Sequence, residues 1–452
     1  MRILVFQAVI SIFGICILLG SCGNSGKNVE SPYAQRMTES RALRTFLSNT
    51  KEEQLETADW DYVPGLVANA VLKVWMLYPE KTEYYQMVKR YADHNLQVGD
   101  TVKLRRNNID DLAAGKIFFT LWRVETEKGN SADATRYKNA ATFLRDLLKY
   151  KHLRIDTTKP AAGRFFHKAQ YPDQLWLDGL YMGPALYAEW QHWFGKEEGD
   201  DDHADSWTDI ALQFELTHHH SWNREKQLNY HVWAADPDEP SAFWANKEDP
   251  YKGCSPEFWG RGVGWYFAAL VDVLEWMPPS HPHYLRLIEI INQVAQGLTK
   301  YQDQKSGCWY QLLQYDADKS ADNIGDDMNG TVYNRCDRHN YLESSASSMF
   351  TYAYLKGIRL GILDKTTYLP VARKAYQGLL DTFIKIEDDG YLSIISSCAS
   401  AGLGPARDLS RTGTINYYLC GKDTGVTKNE GKAIGSFIMA SVEAELAEIC
   451  NF

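Results

Sequence analysis

An all-α fold, a closed toroid of six helical hairpins, is what this 452-residue chain predicts, on three observations. Long segments carry apolar residues at mixed three- and four-residue steps, the mark of a helix buried along one stripe. Strand-like runs such as Tyr391 to Ile395 are short and do not alternate with helices in a βαβ order. The links between helix pairs are irregular and carry Gly, Trp and Asp, which suits a closed ring with functional loops better than a regular repeat array.

In chain order the periodicity predicts helices over Tyr62–Leu77, Glu83–Leu96, Asp110–Glu125, Ala134–Tyr150, Asp173–Phe194, Trp207–Leu216, Gly264–Met277, Pro282–Tyr301, Glu343–Leu360, Thr367–Ile384 and Lys432–Ile449. No Pro- or Ser-rich linker divides residues 41–452, so they read as a single domain. A toroid gathers inner-helix ends and loops from distant sequence at one mouth, where a site is assembled from several hairpins.

The first residues speak to compartment. Met1 and Arg2 lead into an apolar run from Ile3 to Leu19, too short for a membrane span and ending in small residues, as a secretory signal does. The sequence Leu18-Leu19-Gly20-Ser21-Cys22 is similar to a bacterial lipobox. Residues 1–21 are therefore expected to be a lipoprotein signal, Cys22 a lipid anchor, and residues 22–40 a flexible tether rich in Gly, Ser and Asn. The chain is expected to be exported, periplasmic or outer-membrane associated, touching a membrane only through that anchor; a plain signal peptide cut nearby is the alternative.

The remaining cysteines, Cys254, Cys308, Cys336, Cys398, Cys420 and Cys450, show no C-x-x-C spacing, so neither a zinc site nor a particular disulfide pairing is predicted, and no metal or cofactor is expected. A formal charge of −10 argues against a nucleic-acid partner and means that an acidic ligand must find a local cation.

Five segments carry chemistry. In Tyr171-Pro172-Asp173-Gln174-Leu175-Trp176-Leu177-Asp178-Gly179-Leu180-Tyr181-Met182-Gly183, one acid, Asp178, stands in an apolar and aromatic run that opens a helix. Burial resists ionisation, so such a carboxyl suits a general acid, although a capping or structural role remains open. Asn107 to Leu112 opens another helix, where Asp110 or Asp111 serves either as a cap or in chemistry. Phe165-Phe166-His167-Lys168 and Tyr230-His231-Val232-Trp233 each place a histidine among aromatics, a pattern that is more often structural.

Phe258-Trp259-Gly260-Arg261-Gly262-Val263-Gly264-Trp265 reads as a glycine-rich turn offering two flat indole faces and a bidentate cation, suited to a sugar with a carboxylate; a turn packed by core tryptophans is the alternative. It follows no strand and lacks G-x-G-x-x-G, which excludes a nucleotide loop. Glu343 to Ser348 begins a helix with many hydroxyls. His218-His219-His220 cannot share one helix face and reads as a solvated helix end. Asp316 to Asp327 lacks the ligands and glycine of an EF-hand.

Together, the Trp176–Met182 run, the Trp259–Trp265 run, Asp110 and the Glu343 serine segment resemble, in their order, the unsaturated rhamnogalacturonyl hydrolases of glycoside hydrolase family 105, relatives of the unsaturated glucuronyl hydrolases. The resemblance runs from about Trp60 to the C-terminus. It implies an (α/α)6 barrel. It also implies that Asp178 is the general acid/base and Asp110 the second acidic residue near the reacting ring. Tyr62, His167, His231, Trp259, Arg261 and Trp265 match substrate contacts, and Lys168 matches a cation for anionic substrate.

The implied reaction is removal of a terminal 4,5-unsaturated uronic acid from lyase-generated oligosaccharides: proton donation to C4, then water addition at C5. Unsaturated galacturonyl-rhamnose is the expected substrate, with an unsaturated glucuronyl disaccharide as the alternative. An inverting hydrolase of intact glycans and a non-catalytic sugar-binding lipoprotein are the competing classes. At Asp178 a helix N-terminus favours the carboxylate whereas Trp176, the apolar run and Asp110 favour the acid; the acid is expected to win, with activity peaking on the mildly acidic side of neutral.

Overall fold

A computed structural model describes residues 31–105, 107–195, 203–321 and 338–448. Its principal helices are α1 (Tyr33–Thr38), α2 (Tyr62–Leu77), α3 (Thr82–Asn95), α4 (Ile117–Glu127), α5 (Ser131–Asp146), α6 (Leu177–Met182), α7 (Pro184–Trp193) and α8 (His203–Ser221). They continue with α9 (Gly260–Trp276), α10 (Tyr284–Lys300), α11 (Ser344–Arg359), α12 (Lys365–Phe383), α13 (Ile415–Cys420) and α14 (Gly431–Leu446). A 3-10 segment, Ile109–Lys116, leads directly into α4.

Two kinds of helix make the ring, and their sequences differ accordingly. In α10 the buried residues Leu287, Ile290, Ile291, Val294, Ala295 and Leu298 form one stripe at three- and four-residue steps, so this helix lies on the outside. By contrast α9 buries every residue from Gly260 to Leu274, α11 from Ser344 to Gly357 and α14 from Gly431 to Ala444, so these are enclosed all round.

The inner ring closes on itself. Helix α2 packs on the 3-10 segment, that segment on α6, α6 on α9, α9 on α11, α11 on α14, and α14 on α2. Outside, α3 packs on α2, α5 on α4, α8 on α7, α10 on α9, α12 on α11 and α1 on α14. This is the expected (α/α)6 barrel.

Four expectations need revision. Residues 33–40, expected to belong to the tether, are packed structure and include α1, whose Ala34 and Met37 enter the core; Cys22 and the signal segment lie outside the described residues. Asp173–Phe194 is not one helix: Gln174–Trp176 is a strand, β1, paired antiparallel with β2 (Val232–Ala234), and helix follows as α6 and α7. The glycines from Gly260 to Gly264 are the first turns of α9, not a turn before it. His218 is buried, with its Nε2 2.8 Å from Gln293 Oε1, whereas His219 is exposed. No helix among the described residues is long and apolar enough to cross a membrane.

Near the C-terminal ends of α9 and α11 a buried charge network stiffens the ring. Lys356 Nζ lies 2.6 Å from Asp272 Oδ1 and 2.7 Å from Glu275 Oε2, and Tyr352 donates to Asp272 at 2.7 Å. Lys116 is 6% exposed, 3.7 Å from Asp272 Oδ2 and 3.2 Å from the centroid of the Tyr181 ring, with no hydrogen-bond partner among the described residues.

Candidate active site

The inner helices all begin at one end of the ring, and Tyr62, Asp110, Asp178 and Arg261, singled out in sequence, sit in their first turns. Tyr62 is the first residue of α2. Asp110, Asp178, Arg261, Ser345 and Lys432 are each the second residue of their element. Six helix N-termini therefore face one centre, where partial positive charge favours an anion.

Short backbone pairings draw the chemistry together. Asn108 bridges Lys168 antiparallel, Ile109 N–H donates to His167 O at 3.1 Å, and His167 N–H donates to Gln174 O at 3.3 Å. Strand β1 pairs with β2, and Leu177 N–H donates to His231 O at 3.1 Å. Asp110, His167, Lys168, Asp178 and His231, from four separate places in the chain, so become neighbours.

Asp178 and His231 form the central pair, with His231 Nε2 2.9 Å from Asp178 Oδ2. His231 is fully buried, and its Nδ1 lies 2.7 Å from the hydroxyl of Tyr418. Burial pushes the Asp178 carboxyl up, but the charge and hydrogen bond of His231 outweigh it and leave the group below the ordinary carboxylate value. Burial likewise pulls His231 below the ordinary histidine value against the opposing pull of Asp178. The carboxyl of Asp178 is therefore favoured in its ionised form beside His231, the reverse of the acid form expected there. The reason is His231, which the local sequence around Asp178 does not contain.

Asp110 does not cap its own segment. The side chain of Asn108 caps the segment by accepting from Asp110 N–H at 3.3 Å, while Asp111 binds Arg105 Nε at 2.7 Å. Asp110 itself lies 3.1 Å from His167 Nε2 and 2.5 Å from Lys168 Nζ. Burial opposes its charge, but Lys168 and His167 prevail and hold it far below the usual carboxylate range, permanently ionised. Lys168 keeps a quarter of its side chain exposed at this position.

Aromatic rings wall the pair. Trp176 stacks on His167 with centroids 5.0 Å apart and meets His231 edge-on at 5.2 Å. Trp259 approaches His231 at 4.6 Å and stacks on Tyr418 at 6.0 Å. Two glycines leave the histidines their space: a Cβ on Gly262 would lie 2.9 Å from His231 Cδ2, and one on Gly179 3.1 Å from His167 Nδ1.

The other expected contacts lie deeper than an open sugar platform requires. Trp259 and Trp265 are 1% and 2% exposed, and Trp265 packs beneath Tyr62 and against Tyr181. Arg261 is 1% exposed, 4.7 Å over the Trp259 ring; its Nη1 donates to Cys398 O and, at 3.3 Å, to Ser345 Oγ, and its Nε has no partner among the described residues. Tyr62 remains partly exposed. Residues not anticipated are Tyr418, Lys432 and Glu430. Lys432 Nζ pairs with Glu430 Oε1 at 2.8 Å, and its ammonium stands 5.8 Å over the Tyr62 ring.

One mouth of the (α/α)6 barrel thus holds an aspartate–histidine pair walled by aromatic rings, with buried cations and helix N-termini around it. A family model described as Glycosyl Hydrolase Family 88 matches residues 33–326 and 326–447, and the chain belongs to that family. A solved family 105 glycoside hydrolase of C. acetobutylicum ATCC 824 is 32% identical with a TM-score of 0.74, over 92% of this chain and 100% of that one. Protein Atu3128 of Agrobacterium fabrum is 34% identical over 206 residues, 45% of this chain and 77% of that protein. The unsaturated rhamnogalacturonyl hydrolase YesR of Bacillus subtilis strain 168 is 22% identical over 346 residues, 75% of this chain and 79% of that protein. The family 105 resemblance read from the motifs is borne out, and the protein is a glycosidase.

Proposed function

We propose that this glycosidase releases a terminal 4,5-unsaturated uronic acid from lyase-generated oligosaccharides, with unsaturated galacturonyl-rhamnose as its substrate. The observation that carries the reading is the Asp178–His231 pair, 2.9 Å apart at the convergence of six helix N-termini and buried cations. Such a centre suits one proton-transferring group facing an anionic ring, and the ionised, doubly held Asp110 is a positioning anion rather than a second acid. Lys168 directly follows His167, as the resemblance to the rhamnogalacturonyl members implies, and this supports the galacturonyl choice.

The double bond of the substrate is an enol ether. Asp178 gives its proton to C4, C5 becomes an oxocarbenium-like centre, and a water bonds to C5 as Asp178 takes the water's proton back. The hemiketal then opens and expels the aglycone, so the carboxylate-separation rule for ordinary glycosidases does not apply. The acid form of Asp178 is reached in the complex: a uronate carboxylate brings negative charge beside the pair and raises its proton affinity.

The test is loss of the ultraviolet absorbance of the C4=C5 bond across a panel of pectin, glucuronan and ulvan lyase digests. Asp178→Asn should abolish that loss while the protein stays folded. The alkaline limb of kcat should lie at higher pH than that of kcat/KM, since the former reports the bound and the latter the free pair. An active Asp178→Asn protein sinks the assignment, and a preference for glucuronyl digests replaces the galacturonyl substrate.

We also propose that Cys22 carries a lipid and holds the enzyme at a membrane surface.

A further inference from the structure

We propose that Tyr418 is a positioning residue whose hydroxyl allows the His231–Asp178 pair to gain and lose its proton; the step it serves rests on the activity proposed above. The hydroxyl lies 2.7 Å from His231 Nδ1 and has no other partner among the described residues. Tyr418 is 0% exposed, so no water reaches Nδ1 from that side. Its ring is fixed by stacking on Trp259, whose Nε1 is in turn held 3.2 Å from Gln311 Oε1.

The two protonation states place opposite demands on Nδ1. With Asp178 ionised, His231 Nε2–H donates to the carboxylate, and Nδ1 is bare and needs a donor. With one more proton on the pair, the proton rests on Asp178, which then donates to Nε2, or on His231. In both arrangements Nδ1 carries hydrogen and needs an acceptor. A tyrosine hydroxyl rotates to serve as either, donating in the first state and accepting in the second. A buried imidazole nitrogen without such a partner carries a desolvation cost in every state, largest for the cationic one. Tyr418 thereby keeps the protonated pair accessible although His231 itself is fully buried.

The sequence gives little warning of this role. Tyr418 lies in the short helix α13, 187 residues after His231, and is a plain apolar-stripe tyrosine by its neighbours.

The test is Tyr418→Phe, which keeps the ring on Trp259 and removes the hydroxyl. Titration of the His231 ring nitrogens by 15N NMR, assigned by the peak missing in His231→Gln, should show protonation moved to lower pH by about one unit or more. On the unsaturated substrate, kcat should fall about ten- to a hundredfold with KM nearly unchanged, and its alkaline limb should move to lower pH. Incorporating 3-fluorotyrosine at position 418, which restores a hydroxyl, should recover most of the rate. A His231 titration curve unaltered by Tyr418→Phe overturns the proposal. So does a rate loss that leaves the pH profile in place, because packing alone would cause that. A wild-type protein inert toward every lyase digest defeats the activity reading instead, while the His231 titration still decides the role of Tyr418.

Discussion

Lys116 offers a measurable cost of burying charge in the wall of the barrel. Its ammonium is 6% exposed, makes no hydrogen bond among the described residues, and rests on the face of Tyr181 with Asp272 Oδ2 3.7 Å away. Burial pulls its titration from the ordinary 10.5 down to about 8, the attraction of Asp272 only partly opposing it. At about 1.4 kcal/mol per pH unit, that difference is a penalty of about 3 kcal/mol on the folded state.

The sign follows from the depressed value. Below pH 8 the lysine is charged whether folded or unfolded, and the penalty is present in full. Between pH 8 and 10.5 the unfolded chain binds the extra proton, so stability rises with pH and the penalty fades. Lys116→Met keeps the length of the side chain and its contact with Tyr181, and Asp272 keeps Lys356 at 2.6 Å. Allowing for a lost cation–π contact of about 1 to 2 kcal/mol, the variant should be more stable at pH 7 by about 1 to 2 kcal/mol. Urea unfolding of both proteins from pH 7 to 10.5 measures the difference, which should shrink steadily above pH 8. A variant less stable at pH 7, or a difference independent of pH, refutes the reasoning.

Gly262→Ala would place a Cβ 2.9 Å from His231 Cδ2 and 3.4 Å from Trp259, forcing the imidazole to retreat by a few tenths of an ångström from Asp178. The expected result is a kcat lower by about ten- to a hundredfold with a stability cost of about 1 to 3 kcal/mol, read by steady-state kinetics and denaturation. For the lipid anchor, Cys22→Ser in a bacterial host should abolish labelling by a radiolabelled fatty acid and move the enzyme from the membrane to the soluble fraction; unchanged fractionation rejects the anchor.

The barrel was legible because helix burial leaves a periodic trace. A stripe such as Leu287, Ile290, Ile291, Val294, Ala295 and Leu298 can be read without neighbours, and Asp110, Asp178 and Arg261 stand out as charges within otherwise apolar helix starts. Pairing across long sequence separations leaves no such trace. Strands of three residues, β1 and β2, are too short to show alternation, yet they carry His231 to Asp178, 53 residues away. The protonation of Asp178 was misjudged for that reason: its immediate neighbours argue for the acid, and its decisive partner comes from elsewhere. The glycines of α9 were misread because close helix packing and a turn use the same residue, and only the position of the His231 ring tells them apart.

Charge at the mouth explains how an acidic protein accommodates an acidic sugar. Around the centre stand the carboxylates Asp61, Asp110, Asp111, Asp178, Glu343 and Glu430, against the cations Arg105, Lys168, Arg261 and Lys432. Counting these ten groups alone, the side chains are negative there and would repel a uronate. Helix N-termini oppose that charge, with up to about half an elementary charge at each of the long helices α2, α9, α11 and α14 and less at the six-residue α6 and the 3-10 segment. Arg261 and Lys432 lie in the first turns of α9 and α14, where a cation is opposed by its own helix dipole, and each has a carboxylate close by, Glu343 and Glu430 respectively. That unfavourable placement is stable only while an anion is close, and a bound uronate adds to the share that Glu343 and Glu430 provide. On the proposed activity, the sugar's carboxylate would meet charge distributed over the starts of the inner helices, and its negative charge would raise the proton affinity of the Asp178–His231 pair.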